Sequence, residues 1–299
     1  MMKINRLPGP FGVEILGLGL QDGVSDQTMR QLAALLYEHR LVVVRDQKLT
    51  ESQYLNFGRQ WGRPHPHVLD HKRMPGYPEM MTVGNTFKRA ANDTPAVFWH
   101  TDQSYEAEPA SVTMLHAIMA PEKGGETSLC DMVAAYDALD DATRRRIETL
   151  EAKHFYGAAS GQDGENKASA MVSEHQRSAA PPVAHRLVRP HPVTGRKALY
   201  AVAGTPFAIT DVPDAEAQSL LKELKRHATG ERFVYRHKYR VGDIALWDTL
   251  STMHAAPSIG PATCVADSRL LWRISCKGLP RVVELDRRAS NPMAAVAGR

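Results

Sequence analysis

Two histidines and one aspartate in this chain have the residue types and spacing of a metal site. His100 and Asp102 stand two residues apart in the stretch Phe98–Ser104, and His254 follows far along the chain. Because side chains alternate along a strand, His100 and Asp102 on one strand would point to the same face. Two imidazoles and one carboxylate occupy three corners of an octahedron and leave three open for substrate and O₂, which suits non-haem Fe(II).

The His100–Asp102 pair does not establish a site by itself, because a His-x-Asp pair is also expected by chance at this histidine and aspartate content. A strand end with an exposed aspartate and a packed histidine would show the same two residues. The metal hypothesis therefore depends on elements that would bring His254 to the same place.

The predicted helices are marked by apolar spacing and by capping residues. Asp26–His39 follows Ser25, a plausible N-cap, and a second helix opens at Thr50 and ends at Gly62. Asp214–Ala228 has an amphipathic pattern. Residues 134–152 consist of helix formers throughout, and we expect a helix there as well.

The predicted strands are short, numerous and spread over the whole chain. They cover residues 11–20, 41–45, 80–85, 112–120, 128–132, 198–203, 233–239, 244–248 and 269–276. With the helices, this pattern predicts an α+β chain around a β-core. A sandwich or jelly roll would let strands from distant parts of the sequence meet at one mouth, as a site made of His100, Asp102 and His254 requires.

The 299 residues show no internal repeat and no sign of a second domain, so we expect a single domain over 1–299. Residues 159–180 are small and polar and are interpreted as a flexible insertion, and residues 287–299 form a weakly patterned tail. The polar segments 88–95 and 159–180 are expected to form lid loops beside the motif strands.

Composition excludes several classes of protein. The net charge of +4 is spread along the chain and leaves no nucleic-acid footprint, and no apolar run is long enough to cross a bilayer. The three cysteines form no CxxC motif, and no signal peptide is recognisable at the first residues. These features predict a cytoplasmic protein in a reducing compartment.

Several blocks of sequence, in order, resemble the taurine dioxygenase (TauD/TfdA) family of Fe(II)- and 2-oxoglutarate-dependent dioxygenases. The blocks are WHTD at 99–102, PEKGGETSLCDMVAAYDAL at 121–139, VRPHPVTGRKALY at 188–200, LWDTLSTMH at 246–254 and RLLWR at 269–273. The resemblance implies a double-stranded β-helix, or jelly-roll, core with flanking helices and lid loops. It also implies an oxidoreductase that uses Fe(II), 2-oxoglutarate and O₂.

The family's site residues can be carried over where this sequence matches its motifs. The resemblance implies that His100, Asp102 and His254 hold the iron. It implies that Thr127 and Arg269 bind 2-oxoglutarate, and a planar guanidinium suits the distal carboxylate of that molecule. The segment between His254 and Arg269 is longer than in the taurine enzyme, so Arg269 and Arg273 could exchange roles.

Arg273 is the candidate substrate residue. Two arginines four apart on a strand share a face, and a second inward cation is costly unless an anion pairs with it. That anion could be a substrate group, which the resemblance favours, or a protein carboxylate. The expected reaction oxidises an unactivated C–H of a small, anionic molecule and releases succinate and CO₂. Taurine itself is doubtful, because Ala96 stands where the family has an asparagine that helps to hold taurine.

Two other functions stay open from the residues alone, namely a zinc-dependent hydrolase with the same three ligands and a non-catalytic jelly-roll binding protein. A zinc hydrolase would leave Thr127 and Arg269 without a role, and a binding module would be expected to have a broken triad. We further expect a homo-oligomer, a dimer or a tetramer, with no nucleic-acid or membrane partner.

Overall fold

The computed structural model describes residues 2–68, 70–86, 98–156, 181–256 and 262–290. The helices of these residues are α1 Asp26–His39, α2 Glu51–Trp61, α3 Met132–Asp137, α4 Asp141–Ile147, α5 Asp214–Ala228 and α6 Arg281–Ser290. The strands are β1 Lys3–Arg6, β2 Val13–Leu16, β3 Leu41–Val44, β4 Arg63–Pro64, β5 Arg73–Met74, β6 Tyr77–Asn85, β7 Val112–Met119, β8 Thr127–Asp131, β9 Glu151–His154, β10 Val183–Arg186, β11 Val188–Pro190, β12 Lys197–Leu199, β13 Pro206–Ile209, β14 Val234–His237, β15 Ile244–Asp248, β16 Thr252–Ala255 and β17 Arg269–Lys277.

The first two helices begin at the capping residues that the sequence predicts. The Ser25 side chain accepts a hydrogen bond from the Thr28 backbone at the start of α1. Thr50 forms a full capping box with Gln53 at the start of α2, since each side chain bonds the other residue's backbone N–H. These local bonds satisfy backbone donors that a helix start would otherwise leave unpaired.

Two facing sheets form the core that carries the site. The larger sheet has the strand order β1-β2-β3-β15-β7-β17-β6-β5, with β4 also paired to β17, and the smaller sheet has the order β14-β8-β16. Side chains from both sheets meet in one apolar cluster, which includes Leu115 and Leu271 from the larger sheet and Leu129 from the smaller. The predicted α+β jelly-roll core is confirmed.

Helices cover the outer faces of both sheets. Residues of α1, α2 and α6 join the outward side chains of the larger sheet in a second apolar cluster. Residues of α3 and α5 pack with the smaller sheet and with β9, β11, β12 and β13 in a third. Burial of these faces leaves the space between the two sheets, at their open end, as the place where inward polar side chains can gather.

The prediction of one helix over residues 134–152 is wrong. The chain forms α3 and α4 there and then enters strand β9. Asp140 caps α4 by accepting from the Thr143 backbone, and Leu139 donates to Tyr136 in a tight turn, so the first helix cannot continue. The expectation of a weak pattern from residue 287 is also corrected, because α6 runs to Ser290.

The predicted lid segments 88–95 and 159–180 and residues 291–299 lie outside the described residues. Among the helices that the structure does describe, none is at once long and apolar enough to cross a membrane.

Candidate active site

His100 does not lie on a strand with Asp102, and that prediction is wrong. His100 forms an isolated antiparallel bridge with His254, in which each backbone N–H donates to the other's carbonyl at 2.9 Å. The chain then turns at once, and Gln103 adopts a left-handed φ of 54°. The backbone bridge and the turn, rather than strand alternation, bring Asp102 next to the two histidines.

His100, Asp102 and His254 form the predicted cluster. One ligand atom from each lies within 4.8 Å of the others. Asp102 Oδ1 lies 3.5 Å from His100 Nε2, and Asp102 Oδ2 lies 3.8 Å from His254 Nε2. Two imidazole nitrogens and a carboxylate are a donor set suited to Fe(II), with further coordination positions left for other ligands. The residues present therefore fit a divalent metal.

Hydrogen bonds and charges prepare these groups to bind a cation. His100 Nδ1 lies 3.0 Å from the carbonyl oxygen of Phe98, which can only accept, so Nδ1 carries the proton and Nε2 is free. Burial, followed by the neighbouring His100, lowers the pKa of His254 to about 3, so its imidazole is neutral near pH 7. Burial alone would raise the pKa of Asp102, but Arg273 and the two histidines hold it well below its ordinary value.

Both oxygens of Asp102 have protein partners. Arg273 Nη2 lies 2.7 Å from Oδ1, and the Thr113 hydroxyl donates to Oδ2 at 2.8 Å. Ser275 lies within 3.0 Å of both Thr113 and Arg273, so these side chains form one connected network on β7 and β17. Arg273 thus has a protein carboxylate beside it, which is the alternative partner that the sequence left open.

Arg269 lies deeper in the core and has no carboxylate partner among the described residues. Its side chain is 1% exposed, and its Nη2 lies 3.4 Å from the Thr127 hydroxyl. Within the part of the chain that the structure describes, Nε and Nη1 of Arg269 are buried without a hydrogen-bond partner. Burial lowers the pKa of Arg269, which is the direction expected for a cation with too few partners. A buried guanidinium with donors to spare beside a hydroxyl fits the distal carboxylate of 2-oxoglutarate.

The structure adds three polar residues that sequence reasoning missed. Thr113 and Ser275 reach the Asp102 network, and Tyr239 contacts Thr127 with its hydroxyl at 2.9 Å. Inward alternation along the predicted strands could have placed Thr113 and Ser275 towards the core. Nothing local indicated which residue each would meet, because their partners lie far away in the sequence.

Gly204 allows the chain to pass closely behind His100, and we expect Gly204→Ala to disturb the metal site. Gly204 has a φ of +91°, and a Cβ there would lie 2.7 Å from His100 Cβ. Strain and overlap together should cost about 2–4 kcal/mol of unfolding free energy and weaken metal binding. The matched control is Gly195→Ala, which has a similar φ of +69° but nothing within 4 Å. Equal melting temperatures and metal affinities for the two variants would contradict this account.

Comparison with known proteins places the chain in a family. The family model described as "Taurine catabolism dioxygenase TauD, TfdA family" matches residues 3–275. The alpha-ketoglutarate-dependent 2,4-dichlorophenoxyacetate dioxygenase of Cupriavidus pinatubonensis is 33% identical over 84% of this chain and 90% of its own length. The (S)-phenoxypropionate/alpha-ketoglutarate-dioxygenase of Sphingobium herbicidovorans is 30% identical over 93% of this chain and 95% of its own.

A solved structure agrees with the fold, and it contains a divalent metal. The crystal structure of AAD-2 in complex with Mn(II) and N-oxalylglycine has a TM-score of 0.78 and 28% identity, and covers 93% of this chain and 98% of its own. The matched length, the jelly-roll core and the His-Asp-His cluster lead to one conclusion. The chain belongs to the TauD/TfdA family and is an oxidoreductase, a dioxygenase that depends on Fe(II), 2-oxoglutarate and O₂.

Proposed function

We propose that this dioxygenase hydroxylates, or otherwise oxidises, an unactivated C–H of a small anionic substrate and releases succinate and CO₂. The observation that carries the proposal is a link between two features of the core, since β8, which carries Thr127, pairs with β16, which carries His254. One feature is the His100, Asp102 and His254 cluster, and the other is the buried guanidinium of Arg269, two of whose nitrogens have no hydrogen-bond partner among the described residues. The first suits a metal with open positions, and the second suits a carboxylate that reaches into the protein.

Each proposed role follows from the environment of the side chain. His100, Asp102 and His254 hold the iron, which supplies the oxidative chemistry when it is bound with 2-oxoglutarate and O₂. Arg269 and Thr127 hold the distal carboxylate of 2-oxoglutarate and so fix its orientation. Burial of these residues excludes bulk water from the site and strengthens their electrostatic interactions.

Arg273 is proposed to bind the anionic group of the substrate. Its guanidinium lies beside the metal cluster and is 16% exposed, whereas Arg269 is closed off. When Asp102 shares its negative charge with a divalent metal, Arg273 is less fully neutralised and can pair with a second anion. The two relatives act, by their names, on 2,4-dichlorophenoxyacetate and (S)-phenoxypropionate, and both of these carry a carboxylate.

An aromatic pair within the electrostatic influence of Arg273 supports an aryl group on that anion. The rings of Tyr105 and Tyr156 lie 4.7 Å apart, and His67 meets Tyr156 edge-on at 6.2 Å. Burial raises the pKa of both phenols, and Arg273 opposes that rise in each, so the cation acts on both rings. Aromatic walls beside a cation suit an aryloxyalkanoate, which we propose as the first substrate class to test.

Two measurements test this function. Anaerobic addition of Fe(II) and then 2-oxoglutarate should produce a weak visible charge-transfer band, which neither a zinc hydrolase nor a binding module would give. Succinate release and O₂ uptake should then be compared for phenoxyacetate and its neutral amide. Faster turnover of the amide, or no response to any member of an anionic panel, would contradict the proposed substrate class.

Arg273→Ala is expected to raise the KM for an anionic substrate by about 100-fold, because a partly buried pair between the guanidinium and the substrate anion is lost. Slow decay of 2-oxoglutarate without substrate should continue, since the iron ligands and Arg269 are intact. Because Arg273 also touches Asp102, Fe(II) affinity is measured in parallel. An unchanged KM together with weaker Fe(II) binding would show that Arg273 serves only the metal carboxylate.

We also propose the domain organisation, the cellular location and the assembly of the protein. A single domain over 1–299 is supported by the family match to residues 3–275 and by one sheet that includes both β1 and β17. Free thiols at Cys130, Cys264 and Cys276 support a cytoplasmic location. A homo-oligomer stays a prediction, which light scattering coupled to size-exclusion chromatography would measure.

A further inference from the structure

Tyr239 contacts Thr127 and Arg269, the two residues proposed to bind 2-oxoglutarate. It follows β14, is 5% exposed, and its hydroxyl lies 2.9 Å from the Thr127 hydroxyl. The face of its ring lies 5.6 Å from the guanidinium carbon of Arg269. His237 packs edge-on against the same ring, with the ring centroids 4.5 Å apart, which helps to hold the ring in place. Tyr239 therefore contacts both proposed carboxylate-binding residues at once.

The hydrogen bond between Tyr239 and Thr127 supports carboxylate binding only if Tyr239 donates it and Thr127 accepts it. A threonine hydroxyl has a single proton and can rotate to suit its neighbours. If Thr127 is to donate that proton to a carboxylate beside Arg269, it must accept from Tyr239. The bonds then run in one chain, from phenol to threonine to carboxylate, and each strengthens the next in a buried setting.

We propose that Tyr239 is a positioning residue for 2-oxoglutarate, which orients the Thr127 hydroxyl towards the distal carboxylate and supports the Arg269 guanidinium with its ring. This inference rests on the proposed function, in which Arg269 and Thr127 bind that carboxylate.

The protonation state of the Tyr239 hydroxyl is consistent with this role. Burial, opposed by Arg269, raises the pKa of Tyr239 to about 12, so the hydroxyl keeps its proton at any working pH. The ring also stabilises a buried cation through its negative face, which is of use because two nitrogens of Arg269 have no hydrogen-bond partner within the described ranges. A phenylalanine would keep the ring and lose only the donor.

The test is the affinity for 2-oxoglutarate of anaerobic Fe(II) enzyme, followed by the charge-transfer band or by calorimetry. Tyr239→Phe should bind 2-oxoglutarate roughly tenfold more weakly, as expected for loss of a hydrogen bond that serves a charged group. Its kcat at saturating 2-oxoglutarate should be unchanged. Thr127→Val should lose a similar factor, and adding Tyr239→Phe to it should cost nothing more, because the two act through one bond.

A second ligand separates positioning from general damage to the fold. The probe 2-oxobutanoate has the keto acid but lacks the distal carboxylate, so Tyr239→Phe should bind it as the wild type does. The matched control is Tyr235→Phe on the same strand region, whose ring contacts Phe11 instead; it should bind 2-oxoglutarate normally. Equal weakening for both ligands, or additive effects of Thr127→Val and Tyr239→Phe, would overturn the inference.

The outcomes also distinguish this inference from the proposed function. If the wild type fails to bind 2-oxoglutarate, or Arg269→Ala binds it normally, the proposed function is wrong. If the wild type binds and Arg269→Ala does not, but Tyr239→Phe is unchanged, only the role of Tyr239 is wrong.

Discussion

Asp102→Ala is expected to abolish Fe(II) binding and turnover while the protein stays folded. Two histidines without the carboxylate leave the site with no negative charge, and two ligands do not hold Fe(II) tightly. The substitution also leaves Arg273 beside the vacated position, where its partly buried charge would repel an incoming cation. Titration with Mn(II) followed by electron paramagnetic resonance would measure the loss of binding separately from activity.

Graded variants make this prediction specific. His100→Ala and His254→Ala should have the same effect as Asp102→Ala, since each removes one ligand. Thr113→Val keeps all three ligands and removes only the hydrogen bond to Asp102 Oδ2, so metal affinity should fall by about 10–100-fold rather than vanish. Binding of Mn(II) at wild-type affinity by any alanine variant would show that the cluster is not the metal site.

The parts of the structure that the sequence predicts are those decided by neighbouring residues. Ser25 and Thr50 cap their helices through bonds to residues three positions away, and α5 has an amphipathic face that a short window reveals. The break between α3 and α4 depends on a turn within a run of good helix formers, and propensity alone does not locate it.

The candidate site was likewise predictable only in part from the sequence. His100, Asp102 and His254 could be named from residue type and motif, yet the reason they converge could not. They meet through a backbone bridge between residues far apart in sequence and a turn with a positive φ at Gln103. The contact of Tyr239 with Thr127 likewise joins two regions whose pairing only the folded sheet fixes. Residue types indicate the chemistry of the site, whereas the residues that each side chain contacts depend on how the strands pair.

Arg269→Ala is expected to weaken 2-oxoglutarate binding by roughly 10²–10⁴-fold, with smaller changes in kcat once the co-substrate is saturating. Removing one partner of a buried charge pair costs about 3–5 kcal/mol, since the carboxylate would be buried without its cation. The measurement is the anaerobic 2-oxoglutarate titration of Fe(II) enzyme, with Arg273→Ala as the control from the same strand. Arg273→Ala should retain 2-oxoglutarate affinity, because its guanidinium lies against Asp102 and not against Thr127.

Thermal stability gives an independent measure of the role of Arg269 in binding 2-oxoglutarate. Arg269 is almost fully buried, and two of its nitrogens lack partners in the part of the chain that the structure describes, so without co-substrate its charge costs free energy of folding. In the wild type with metal, adding 2-oxoglutarate should therefore raise the melting temperature, as any ligand specific to the native state does. The rise should disappear in Arg269→Ala and persist in Arg273→Ala. The reverse pattern would mean that the two arginines have exchanged roles, with Arg273 holding the co-substrate and Arg269 facing the substrate.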